Sequence, residues 1–306
     1  MHKSVLILGS SGRFGRHAAE AFWNAGWNIH LFERGPEDLT QAAATADVIV
    51  AGWNPPYTDW AAQVPTLHAR IQAAARASGA TVILPGNVYV YAPETPLPWG
   101  PRRTQNATNP MGRIRVALEQ SYRQSGVQTI VLRAGDFIDT EPSDSWLDRV
   151  ILKGVHKGRL SYPGPLNVPH AWAFLPDLAR AAVALADMRN DLDRFEDMAF
   201  DGYTLSATQM AAILSDVTGR AVEARPMPWL PIQVARPFWP MARHLLEMRY
   251  LWQAPHSLDG SRLAGLCPRL PVTSPEEAFK AAAAPFLTRP KRSRCQSIPR
   301  STQTIR

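Results

Sequence analysis

The chain has only two cysteines, Cys267 and Cys295, among 306 residues. That number supports no disulfide framework, and their spacing suits no metal site. A reducing, cytoplasmic setting is therefore expected. Also missing is any apolar run of about 18 residues, so no transmembrane helix and no membrane partner are expected. The first apolar strand begins at Ser4, so no signal peptide is expected. No internal repeat is visible. Acidic residues are absent from Arg289 onward, where Arg289, Lys291, Arg292, Arg294, Arg300 and Arg306 stand among Ser, Thr, Pro and Gln. Setting those charges aside turns a net +7 into a nearly neutral body. The positive balance thus describes a basic, disordered tail over 289–306 rather than a specific nucleic-acid surface.

What is present is a chain with 45% apolar residues, enough for a large core. Short apolar runs at 4–8, 28–33, 47–51, 81–84 and 128–132 alternate with helical patterns near 13–25, 36–45, 59–78 and 111–124. That rhythm predicts an α/β fold, a doubly wound parallel sheet of the Rossmann type with right-handed crossovers. After residue 136 the rhythm loosens. Residues 140–170 read as a loop region over a substrate. Helices are expected over Pro176–Met188, Ser206–Thr218 and Met241–Trp252, and a strand over Phe195–Phe200. Ser274-Pro275 opens a last helix, with Ser as N-cap. The prolines among Trp229, Phe238 and Trp239 break any long amphipathic helix, so this segment is expected to pack as a lid or lobe over a cleft rather than to lie on a membrane. The organisation expected is a dinucleotide-binding core over 1–136, a smaller C-terminal substrate lobe over 137–288 that interleaves with the last sheet elements, and the tail.

The most informative stretch is the first thirty-four residues. Ser4–Leu8 runs into Gly9-Ser10-Ser11-Gly12-Arg13-Phe14-Gly15, then a helix, then a second apolar run ending at Glu33-Arg34. Gly9 suits a tight turn, Gly12 lets the backbone approach a phosphate, and Gly15 lets the helix pack on the strand. The helix N-terminus offers unpaired N–H groups and a positive dipole end to an anion. Glu33 is placed to accept hydrogen bonds from ribose hydroxyls. Together these predict a site for a dinucleotide. Glu33 would favour the free ribose of NAD, whereas Arg34, Arg13 and Arg16 could bind the extra phosphate of NADP. The balance leans slightly to NAD.

From residue 3 to about 285 the chain resembles the extended and atypical short-chain dehydrogenases/reductases, the group of NAD-dependent epimerases, dehydratases and NmrA-like proteins. The resemblance rests on the Gly9-x-x-Gly12-x-x-Gly15 spacing, on Asp47–Gly52, on Thr129–Asp136, on Leu175–Arg180, on Thr204–Arg220 and on Leu258–Leu263. It implies that Ala51, Gly52 and Pro85 also border the cofactor. It also implies a catalytic Ser, Tyr and Lys, and here the chain departs from the pattern. Pro85–Ala92 puts Asn87 at the serine position. Met111-Gly112-Arg113-Ile114-Arg115 stands where the family has Tyr-x-x-x-Lys, with Glu119 following in register. Met111 cannot donate a proton. Arg115 can hold a ribose but cannot act as an ordinary base. Asn87 can still orient a substrate oxygen.

Tyr89 and Tyr91 are the nearest replacement acids, with His170 as a more distant one. Met111, Asp136 and His170 are expected beside Asn87 on the substrate side. Two functions follow. One is an NAD(P)-dependent oxidoreductase of the epimerase/dehydratase type, acting on a small carbonyl or sugar-like substrate through a non-standard site. The other is a non-catalytic NAD(P)-sensing regulator of the NmrA-like kind. The resemblance also allows a homodimer.

Overall fold

The computed structural model describes residues 3–287. The basic segment expected to be a tail lies outside them. Six parallel strands form the central sheet: β1 (Ser4–Leu8), β2 (Asn28–Leu31), β3 (Val48–Ala51), β4 (Thr81–Gly86), β5 (Thr129–Arg133) and, later in the chain, Phe195–Ala199. Helices α1 (Arg13–Asn24), α2 (Leu39–Ala43), α3 (Trp60–Ser78) and α4 (Pro110–Gln124) connect the first five. β1 lies between β2 and β3, so the winding direction reverses at β1. That reversal opens a crevice above the carboxyl ends of β1 and β3.

The strands read as uninterrupted apolar runs because both faces of the sheet are covered. In β1, Leu6 and Leu8 face α2, α3 and α4. Val5 and Ile7 face α1 and α5 (Leu175–Asp187). The period-two alternation of a strand divides one apolar run between two cores.

Beyond β5 the chain builds a second layer. Strand β6 (Asp136–Ile138) pairs in parallel with β8 (His170–Phe174), and β10 (Tyr203–Leu205) adds to β8 antiparallel. Strand β7 (Arg159–Tyr162) pairs with β11 (Glu223–Pro226). Between β8 and β10 the chain returns to the central sheet as β9 (Phe195–Ala199), beside β5. A third core, around Trp172, Met210 and Phe279, joins these strands to α6 (Ala207–Thr218) and α11 (Pro275–Leu287). Between α6 and α11 come α7 (Leu230–Ala235), α8 (Pro240–Glu247), α9 (Tyr250–Gln253) and α10 (Ser261–Leu266).

Most expected elements are present, with differences at their ends. The helix expected over 36–45 starts only after the Gly35-Pro36 turn, where Asp38 caps it by accepting from the Gln41 N–H at 2.9 Å. The helix expected over Met241–Trp252 is two pieces, α8 and α9, broken at Met248 and Arg249. Residues 140–170 hold more structure than a loop, namely two short helical turns over 147–157 and strand β7. Ser206 makes a full capping box with Gln209, and α6 stops at Gly219 with φ 63°.

Candidate nucleotide and active site

The glycine loop is built by contact. Gly9 takes φ 76°, the left-handed region, and a Cβ there would lie 2.8 Å from the Trp53 backbone. A Cβ on Gly15 would lie 2.1 Å from the Gly9 carbonyl oxygen, so α1 can seat against the loop only with glycine at this position. Ser10 and Ser11 form the crest. Gly12 is the N-cap of α1 and has no side chain to satisfy the first N–H groups of the helix. The N–H groups of Arg13 and Phe14 therefore have no intrahelical partner and make an anion seat. The Phe14 side chain itself is core. Gly52, next after Ala51 at the end of β3, forms the facing wall of this seat.

At the far end of the crevice Glu33 and Arg34 follow β2, and both are exposed. The Glu33 N–H donates to Glu37 Oε2, while the Arg34 guanidinium rests over the Trp53 ring at 4.5 Å. Arg13 and Arg16 do not join them. Arg13 Nε donates to the Ser143 carbonyl at 2.8 Å. Arg16 is held by Asp139 at 2.6 Å and Glu141 at 2.8 Å. His17 reaches the same Asp139 oxygen at 2.8 Å. These contacts clasp α1 to the segment after β6 and satisfy Arg16 with carboxylates, which corrects its expected availability to a phosphate. Burial alone would raise the Asp139 carboxyl. The His17 hydrogen bond and the Arg16 charge instead pull it down to about 2.

The residues expected at a reaction end lie where β4 and β5 stop. Asn87 begins a short turn over Val88–Val90, and its Oδ1 accepts from the Tyr89 N–H at 3.1 Å. The Asn87 carbonyl receives Arg133 Nη1 at 2.6 Å. Arg133 is fully buried between Glu119 at 2.6 Å and Asp197 at 2.8 Å, so it fixes this turn to the sheet. Burial pushes the Asp197 carboxyl up despite the Arg133 charge.

Arg115, on α4, donates Nη2 to the Pro85 carbonyl at 2.6 Å and lies 5.9 Å from the Trp60 ring. Its Nε is buried and has no hydrogen-bond partner among the described residues. Burial lowers its basicity. Tyr89 points its hydroxyl at Tyr57, 2.6 Å away. Burial raises both phenols above their ordinary value, and the nearby Asp136 charge adds to this. Asp136 also holds His170 Nε2 at 2.7 Å. The His170 ring is stacked on Trp252, with centroids 4.5 Å apart, and it sits on strand β8 rather than in a loop.

The structure thus brings Asn87, Tyr89, Arg115 and Asp136 into one neighbourhood, with His170 behind Asp136. It sets Tyr91 apart. That side chain is fully buried and donates its hydroxyl to the Gly100 carbonyl at 3.0 Å. Its only proton is already spent inside the core, so the expectation that it could serve as an acid is corrected. Met111 is buried, and its N–H donates to Glu247 Oε1 of α8 at 2.7 Å. The Asn109 amide reaches the same oxygen at 2.9 Å. A carboxylate therefore caps α4 at this end.

Three participants escaped the sequence reading: Tyr57, Glu247 and Arg133 as a positioning group. Tyr57 had a signal. It follows Pro55-Pro56 directly after the β3 end, and residues just past parallel strand ends line the crevice. Glu247 had none, because its contact spans more than a hundred residues of sequence.

The chain matches no protein-family model and no curated protein sequence. Solved structures do resemble it. A UDP-glucose 4-epimerase from Stenotrophomonas maltophila, with bound NAD and formylated UDP-arabinopyranose, superposes with a TM-score of 0.71 at 13% identity, covering 94% of this chain and 98% of that one. A UDP-glucuronic acid 4-epimerase from Bacillus cereus, in complex with UDP-glucuronic acid and NAD, gives 0.69 at 12% identity, covering 93% and 98%. RMD from Pseudomonas aeruginosa, complexed with NADPH, gives 0.66 at 17% identity, covering 94% and 100%. The chain therefore shares the Rossmann-type fold of these structures over nearly its whole length.

Proposed function

We propose that the chain is an NAD(P)-dependent oxidoreductase of the epimerase/dehydratase type, with Tyr89 supplying the proton that Met111 cannot. The observation that carries this reading is the Tyr57–Tyr89 hydroxyl pair at 2.6 Å, on the turn that begins at Asn87. Residues 1–136 are read as the nucleotide core and 137–288 as the substrate lobe.

The residues present fit a dinucleotide. The first N–H groups of α1 would hold the pyrophosphate, the free Glu33 carboxylate the adenosine ribose, and the Arg115 guanidinium, fixed at the β4 end by the Pro85 carbonyl, the nicotinamide ribose. With Arg13 and Arg16 engaged elsewhere, Arg34 alone is left for a 2′-phosphate, which keeps the preference with NAD. When bound, such a cofactor supplies a hydride acceptor or donor. Asn87 would orient the substrate oxygen through its amide. Tyr89 would give a proton to that oxygen during reduction and take one from Tyr57. The neighbours with bound UDP-sugars make nucleotide sugars the first substrate class to examine.

A second reading, a nucleotide sensor without turnover, is favoured by one observation. Burial makes both phenols weak acids. The experiment that separates the two is a panel of UDP-sugars, sugars and aldehydes incubated with NAD(H) or NADP(H), with sugar products resolved by chromatography and cofactor oxidation or reduction followed by absorbance. Turnover lost in Tyr89→Phe supports the enzyme. Nucleotide binding with no turnover across the panel supports the sensor.

A further inference from the structure

Helix α7 is apolar on both sides. Trp229 at its start is buried and donates Nε1 to the Pro163 carbonyl at 2.7 Å, and Ile232 packs into the third core. On its outer side Leu230 and Val234 are each 66% exposed. In the turn that follows, Phe238 is 90% exposed and Trp239 43% exposed. An outward apolar stripe on a helix whose inner face is already buried costs solubility unless something covers it.

The charges around the stripe indicate what that is. From Ala224 to Leu246 there is no acidic residue, while Arg225, Arg236 and Arg243 are basic. Arg225 is paired with Glu223 at 2.8 Å. Arg236 and Arg243 are exposed and have no carboxylate partner among the described residues. Exposed Phe, Trp and Leu flanked by unpaired arginines match the composition of interfacial helices that lie on anionic bilayers.

We infer that the outer face of α7 and the α7–α8 turn form a docking surface for an anionic lipid bilayer, with Phe238 and Trp239 entering the headgroup region. No described helix is long and apolar enough to cross a membrane, so the contact is peripheral, and it departs from the expectation that this segment only covers a cleft, because Leu230, Val234, Phe238 and Trp239 face outward. The stripe is exposed, whereas Glu247 at the end of α8 caps α4 at Met111, and the inference does not depend on which function the crevice has.

The test is co-sedimentation of the full-length protein with vesicles of phosphatidylglycerol and phosphatidylcholine, and with phosphatidylcholine alone. Binding to the anionic vesicles is expected, reduced by about tenfold or more in Phe238→Asp. Arg236→Glu with Arg243→Glu should abolish the preference for anionic lipid. Phe238 is nearly bare, so an unchanged melting temperature verifies that its variant is folded. Three results would overturn the inference. One is the absence of sedimentation with anionic vesicles. Another is sedimentation that survives Phe238→Asp but is lost when Arg289, Lys291, Arg292 and Arg294 become Gln. The third is a dimer in analytical ultracentrifugation that Phe238→Asp dissociates, since a second copy would then cover this face.

Discussion

The hydroxyl oxygens of Tyr57 and Tyr89 lie 2.6 Å apart, on two turns that leave the neighbouring strands β3 and β4. Each phenol carries one proton, and their mutual bond uses only one of them. The second is free to be given to a substrate oxygen. If that proton drives turnover, Tyr89→Phe should lower kcat/KM about a hundredfold or more, in the range of general acid catalysis. Tyr57→Phe should cost less, because Tyr89 keeps its own hydroxyl. Nucleotide affinity, read by fluorescence titration, should be unchanged in both variants.

The pH dependence distinguishes this acid from His170. Burial holds both phenols above the usual 10.0, so they stay protonated through neutral pH. Substrate reduction should therefore stay level from pH 6 to about 9. The reverse reaction, which needs the proton removed, should rise over the same range. A fall in reduction between about pH 6 and 7 would assign the proton to a histidine instead.

The clasp on α1 gives a stability prediction. The Asp139 side chain is buried against Arg16 and His17, and its carboxyl is pulled down to about 2. The folded value lies below the unfolded one. The contribution is thus full above about pH 4 and is lost as pH falls toward the folded value. Asp139→Asn should cost about 2 kcal/mol at pH 7 by urea unfolding, discounted for the part-exposed Arg16. The gap between variant and parent should narrow markedly at pH 3.

How much of this was legible from the chain depends on how local each signal is. The glycine loop and β1 lie within one short βα unit, so spacing alone revealed their shape and placed Glu33 just past β2. The substitution of Met111 and Arg115 was visible because α4 is one continuous helix in register with Glu119. What sequence could not reveal were pairings between distant segments. Arg13 and Arg16 read as phosphate ligands, but their partners Ser143, Asp139 and Glu141 come from beyond β6. Tyr91 and Tyr89 read as equivalent candidates two residues apart. The turn after Asn87 sends one into the core toward Gly100 and the other toward Tyr57.

Arg133 offers a test of the scaffold beneath the site. It is fully buried, paired with Glu119 and Asp197, and holds the Asn87 carbonyl. Arg133→Met would leave two carboxylates buried without their cation. The expected loss is about 3–5 kcal/mol in denaturant unfolding. Where the folded state persists, turnover should fall more than nucleotide affinity, because Asn87 loses its anchor while the glycine loop does not.

The central claim is that this crevice holds a nicotinamide dinucleotide, and titration of the purified protein with NADH and NADPH, followed by nucleotide fluorescence, tests it most directly. Saturable binding is predicted, tighter for NADH, weakened by about tenfold in Arg115→Met and lost in a folded Gly15→Ala variant. Absence of saturable binding to either nucleotide in the folded parent protein would contradict the account.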